Sequence, residues 1–109
     1  MATTYKVLAQ SAPSATTNTD VYTVGSGKSA VVSTITIANR ANASASFRVA
    51  IRPTGATIAN QHYIAYDVVI AANDTTALTL GITLAASDVV TVYCSTANFS
   101  INLFGSEIS

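Results

Sequence analysis

Residues 46–52, Ser-Phe-Arg-Val-Ala-Ile-Arg, alternate strictly, with Phe47, Val49 and Ile51 on one side and Arg48, Ala50 and Arg52 on the other. Side chains of an extended chain point to opposite faces in turn, so this run reads as a β-strand with one buried face. The same alternation recurs outward along the chain. Leu78, Leu80, Ile82 and Leu84 are spaced by Thr79, Gly81 and Thr83; Ile64, Tyr66, Val68 and Ile70 repeat the pattern, as do Phe99, Ile101 and Leu103. No segment of ten or more residues carries an apolar period of 3.6, so the fold class is all-β.

Short breakers separate these runs: Ala12-Pro13-Ser14, Gly25-Ser26-Gly27, Arg40-Ala41-Asn42, Pro53-Thr54-Gly55, Ala71-Ala72-Asn73-Asp74, Ala85-Ala86-Ser87-Asp88 and Thr96-Ala97-Asn98. They predict strands over about 4–10, 21–24, 29–39, 46–52, 62–70, 76–84, 89–95 and 99–104. Eight antiparallel strands suit two packed sheets, a single β-sandwich or jelly roll. Two turns echo each other, Ile70-Ala71-Ala72-Asn73-Asp74 and Leu84-Ala85-Ala86-Ser87-Asp88, as expected if one corner chemistry is used twice. Residues 1–20 read as an amino-terminal strand and arm, and 21–109 as the β-sandwich domain. The stretch from Ser11 to Asp20, rich in Ala, Ser, Thr and Pro, is a candidate linker that would let the first strand lie on a neighbouring subunit.

Composition narrows the function. The 109 residues include 47 Ala, Thr and Ser, only 9% are charged, and five basic side chains balance five acidic ones. Scattered single cations give no footprint for a phosphate backbone, so no nucleic-acid partner is expected. No stretch approaches the roughly 18 apolar residues of a membrane span, and Met1-Ala2-Thr3-Thr4-Tyr5-Lys6 lacks the layout of a secretory signal, so no membrane partner and synthesis in the cytoplasm are expected. Soluble domains average about 25% charged residues. A neutral, charge-poor surface protects a monomer poorly against association, so neighbours are expected to cover much of it.

Chemical motifs are sparse. Gly25-Ser26-Gly27-Lys28-Ser29 ends like a phosphate loop, but Tyr22 stands where the earlier glycine belongs and Ala30-Val31-Val32 opens a strand; it reads as a tight turn. His62 is the sole histidine and reads as a surface or interface residue. Cys94 is the sole thiol, in register with Val90 and Val92, and reads as a small buried hydrophobe. The acids Asp20, Asp67, Asp74, Asp88 and Glu107 are isolated, and turn formation accounts for Asp74 and Asp88. Asp67 lies mid-strand on the side of Tyr63 and Ala65, with Arg48, Arg52 or Arg40 as its partner, either under a covering subunit or as a solvent-facing pair. The sequons at Asn42, Asn73 and Asn98 reflect turn composition, and five tyrosines fit both strand and interface. No catalytic constellation, cofactor site or metal site is expected.

The run Thr34-Ile35-Thr36-Ile37-Ala38-Asn39-Arg40, then Tyr63-Ile64-Ala65-Tyr66-Asp67 and Asn73-Asp74-Thr75, then Leu78-Thr79-Leu80-Gly81-Ile82-Thr83-Leu84 and the closing Asn102-Leu103-Phe104-Gly105-Ser106-Glu107-Ile108 resembles small β-sandwich virion proteins of tailed bacteriophages. The likeness spans about residues 20–109 and rests on framework positions. It implies a structural role in the virion without catalytic residues. The expectation is a capsid decoration or cement protein that contacts copies of itself and a major capsid or other virion protein. Its expected interface comprises Tyr5, Asp20, Arg48, Arg52 and Asp67. The rival is a neck, tail or fibre component that binds a receptor or glycan through His62, Tyr63 and Asn98-Phe99.

Overall fold

The computed structural model describes residues 2–109. Nine strands run β1 (Thr3–Ser11), β2 (Thr19–Thr23), β3 (Ser29–Asn39), β4 (Ala45–Arg52), β5 (Tyr63–Ile70), β6 (Thr75–Leu78), β7 (Ile82–Leu84), β8 (Val89–Cys94) and β9 (Phe99–Ile108). All sheet pairings among them are antiparallel, and they form two sheets, ordered β1-β9-β3-β6 with β7 also on β3, and β2-β8-β4-β5. β6 and β7 lie end to end along β3, Leu78 beside Ile35 and Ile82 beside Val32, as halves of one interrupted strand. With the two halves counted as one, the sheets interleave as first-eighth-third-sixth and second-seventh-fourth-fifth, the strand order of a jelly roll.

In β4, β8 and β9 the inward residues follow the predicted alternation, and Ile35 and Ile37 of β3 join them. Phe47 and Val49 of β4, Val90, Val92 and Cys94 of β8, Ile35 and Ile37 of β3, and Phe99, Ile101 and Leu103 of β9 are all buried between the sheets. Two expectations need correction. The strand placed over 76–84 breaks at Thr79–Gly81, where Gly81 takes φ +65° and Leu80 turns outward, 56% exposed. In β5 only Ile70 of the four alternating apolar residues is buried, because register shifts interrupt the pleat opposite Arg48 and between Val49 and Ala50.

The break in β6/β7 belongs to a line of irregularity across its whole sheet. β3 carries an extra residue, Ser33, between Val32 and Thr34 where it faces β9, and β1 shifts register between Val7 and Ala9 opposite Phe104 and Leu103. Ser33 donates its hydroxyl to the Phe104 carbonyl at 3.0 Å. Gly105 sits against this bulge, and a Cβ there would overlap the Val31 carbonyl oxygen. Only glycine lets β9 approach so closely.

The echoed turns are built alike. Asp74 N–H donates to Ala71 at 3.2 Å and Asp88 N–H to Ala85 at 3.1 Å, with Asn73 at φ 57° and Ser87 at φ 71°. Each turn docks on a neighbouring segment by a pair of backbone bonds: Asn39 N–H to Asp74 and Asn73 N–H to Ala41, then Val24 N–H to Asp88 and Ser87 N–H to Val24. Asn39, 2% exposed, completes the first corner: its amide donates to the carbonyls of Ala43, Ile70 and Ala71, and its oxygen accepts from Ala41 N–H. A buried amide with this many partners holds three carbonyls together at the corner, one of which, Ala71, also accepts from Asp74 N–H.

Candidate interaction surface

The outward face of β2-β8-β4-β5 carries four of the five residues expected at an interface. Arg48 on β4 meets Asp67 on β5 in a two-pronged pair, Nε to Oδ1 at 2.6 Å and Nη2 to Oδ2 at 3.4 Å. The pair depends on a bulge. Across from Arg48, β5 spends two residues, Tyr66 and Asp67, and Asp67 takes φ 51° to do so. Asp67 is thereby placed with Tyr66 against Arg48, whereas Ala65, expected on its side, pairs with buried Val49. The Arg48 guanidinium carbon lies 4.2 Å from the Tyr66 ring centre and 4.4 Å from that of Tyr93, clasped by both rings. Asp67's carboxylate holds the guanidinium pKa above its ordinary value. Tyr63 packs edge-on to Tyr66, centroids 4.9 Å apart.

Arg52 is more fully engaged. Nε donates to the Ala56 carbonyl at 2.7 Å, Nη2 to Gly55 at 2.9 Å, and Nη1 to Asp20 at 2.8 Å and to the Thr91 hydroxyl at 3.2 Å. Thr91 in turn donates to Asp20 at 2.8 Å, closing a triangle across β2, β8 and β4. This is why Thr91 is buried on an outward face. Asp20 and Arg52 therefore meet, and so do Arg48 and Asp67. Tyr5 stands apart on β1 of the other sheet, 84% exposed.

Glu107 forms a third cluster that the sequence reading missed. Its Oε1 lies 2.8 Å from Lys6 Nζ and 4.0 Å from Lys28 Nζ, and its Oε2 accepts the Tyr22 hydroxyl at 2.6 Å. Tyr22 is on β2, so this bond joins the two sheets. The Lys6 and Tyr22 bonds draw the carboxyl pKa below its ordinary value; burial, and then the carboxylate, push the Tyr22 phenol up. The missed signal was the alternation itself. Continued past Leu103, it puts Gly105 and Glu107 on the core-facing side of β9, where an acid needs partners.

Other expected residues resolve simply. His62 is buried, a correction to its expected place at the surface: Asn60–His62 closes in a 3₁₀ turn whose Ala59 N–H donates to His62 Nδ1 at 3.0 Å. Phe99 is buried too, so of the proposed glycan contacts only Tyr63 and Asn98 reach the surface. Cys94 is buried, and burial pushes its thiol pKa up to about 11. Asp88 caps a corner, accepting from Thr54 and Ala85 N–H, and Asp74 accepts from Thr75 N–H. Gly25–Lys28 is a turn, with Lys28 N–H donating to Gly25, and Ser29 opens β3.

Exposed large apolar side chains gather on the sheet edges. Tyr5 and Val7 lie on β1, and Ile64, Tyr66, Val68 and Val69 on β5; each of these strands has one neighbour in its sheet. Neither edge is guarded by a free lysine, the usual protection of an exposed strand. Comparison with protein-family models, with curated proteins and with solved structures gave no match to this chain.

Proposed function

We propose that this chain is a structural subunit of a bacteriophage virion, a capsid decoration or cement protein that works through contacts with its own copies and with the shell. It needs no catalytic residue and no cofactor for that task. The observation that carries the reading is the division of the surface. All ten charged side chains have partners within the chain, while exposed Tyr, Val and Ile residues lie along β1 and β5. A free monomer gains little from such an arrangement; a subunit whose edges are covered by neutral neighbours gains much. The jelly-roll strand order accords with it, since viral capsid domains use that topology, as do lectins.

The contact face in this reading is the aromatic platform of Tyr66, Tyr93 and Arg48, with Val69 beside it, because rigid aromatic side chains and arginine carry most interface energy. The test is quantitative mass spectrometry of purified particles. Hundreds of copies per particle are expected, since only the shell repeats a site that often. A handful would assign the chain to a neck, tail or fibre, and absence from the particle would overturn the virion reading.

A further inference from the structure

The hydrophobic core is complete without the first strand. Apart from Pro13 in the connection that follows, every buried apolar side chain falls within residues 24–103, and β1 adds only the partly buried Leu8 and Ala9. β1 is an edge strand with β9 as its one partner in the sheet. Beyond the backbone ladder, two side-chain links fix its register: Lys6 Nζ with Glu107 Oε1 at 2.8 Å, and Gln10 Nε2 to Asn102 Oδ1 at 2.8 Å. Both acceptors are on β9, so any copy of the chain offers β1 the same seat.

The connection to β2 is built to hinge. Residues 12–18, Ala-Pro-Ser-Ala-Thr-Thr-Asn, turn from one sheet to the other, and Thr16 takes φ 52°, a left-handed conformation unfavourable for a β-branched residue. Extended, seven residues reach roughly 23 Å, more than the 20 Å shortest dimension of the molecule. Opening the turn would release the strain at Thr16. It would give up the Thr16 N–H bond to the Cys94 carbonyl and expose Pro13, the one buried residue of the connection.

We propose that β1 is an exchangeable strand: in the assembled protein it docks on β9 of a second copy, in the register seen here, and Lys6 pairs with the partner's Glu107. The exchange keeps the whole ladder from Thr3 opposite Ile108 to Ser11 opposite Ile101, so the closed and exchanged forms differ mainly in the hinge and in the entropy of association. Each copy gives one strand and receives one, which yields a reciprocal dimer or a closed ring. The inference rests on the reading of this chain as an assembly subunit and supplies the device that joins the copies.

Two full-length variants, Gln10→Cys and Asn102→Cys, test it, because these positions face each other across β1 and β9. The two are mixed, unfolded, refolded together and oxidised with diamide, while light scattering follows the oligomeric state of the unsubstituted chain at the same concentration. Exchange predicts a covalent heterodimer as the main product on a non-reducing gel, and intermolecular bonds in the Gln10→Cys/Asn102→Cys double variant. A double variant that closes only within single chains, with no heterodimer in the mixture, overturns exchange. If the unsubstituted chain is then oligomeric, self-assembly survives; if it is monomeric, both fail. Should the cysteine variants not fold, Lys6→Glu and Glu107→Lys replace them. Each alone sets like charges together, and mixing restores at least half of the oligomer only if β1 crosses between chains; no recovery overturns exchange.

Discussion

The backbone irregularities of sheet β1-β9-β3-β6/β7 line up across its strands, whereas those of β2-β8-β4-β5 are scattered and side chains lying across its outer face tie its strands together. In the first, bulges and breaks at Val7/Ala9, at Ser33 and at Thr79–Gly81 line up across the strands, with Gly105 pressed against Val31 at their centre. In the second, Arg52 ties β4 to β2, β8 and the loop at 55–56, and Arg48 ties β4 to β5 through Asp67 and two tyrosines. Backbone fit leaves no room to adapt; side-chain clasps can be loosened one at a time. Substitutions should therefore be all-or-none in one sheet and graded in the other.

The largest effect is expected for Gly105→Ala. The added methyl meets a carbonyl that belongs to the bulge itself, so relief requires the strands to part, a loss of about 3 kcal/mol or more in urea unfolding. A loss under about 1 kcal/mol would mean that the bulge slides, and the contrast between the sheets would be broken. Next comes Asn39→Ala at the corner between the sheets. Three carbonyls and an N–H lose their buried partner, for about 2–3 kcal/mol by the same measurement.

The clasps should cost less. Arg52→Met keeps an apolar stem but removes every bond to Gly55, Ala56, Asp20 and Thr91, for about 1–2 kcal/mol. Hydrogen exchange should localise the change to residues 53–56 and β2, leaving the sheet β1-β9-β3-β6/β7 as protected as before. Arg48→Met should alter stability least and show instead in the near-ultraviolet dichroism of Tyr66 and Tyr93; an unchanged spectrum would remove the guanidinium from between the rings.

Acid should act on the junction of the two sheets. The Glu107 pKa is lowered in the folded state, so its contribution to stability is complete above the unfolded carboxyl value of about 4.3 and is lost as pH falls through the lower folded value. A pH series of thermal midpoints should show this decline, and Glu107→Gln should flatten it. An equally steep decline in Glu107→Gln would assign acid sensitivity to the other carboxylates.

Alternation was legible wherever a strand is unbroken and flanked on both sides, as in β4, β8 and most of β9. It misled in β5 because a bulge reverses every side chain beyond it, and a bulge is a property of two paired strands. His62 was misplaced for a related reason. A lone histidine carries no sign of the backbone N–H that its ring nitrogen accepts three residues back. The residues expected at an interface were chosen by type, but their pairing was not legible: Asp67 had three candidate arginines, and the register at Tyr66/Asp67 selects Arg48.

By itself the sequence determined the all-β class, most of the turns, the twin Ala-Ala-x-Asp corners and the inward faces of β4, β8 and most of β9, because each depends on residues within a few positions of one another. The tertiary structure decided the jelly-roll order, the split of β6 from β7, the need for glycine at 105, the Arg52 and Glu107 clusters and the edge position of β1. Those depend on partners far apart in the chain, such as Tyr22 with Glu107 and Gly105 with Val31. Local stereochemistry fixes what a strand is, and only closure of the two sheets fixes which residues it meets.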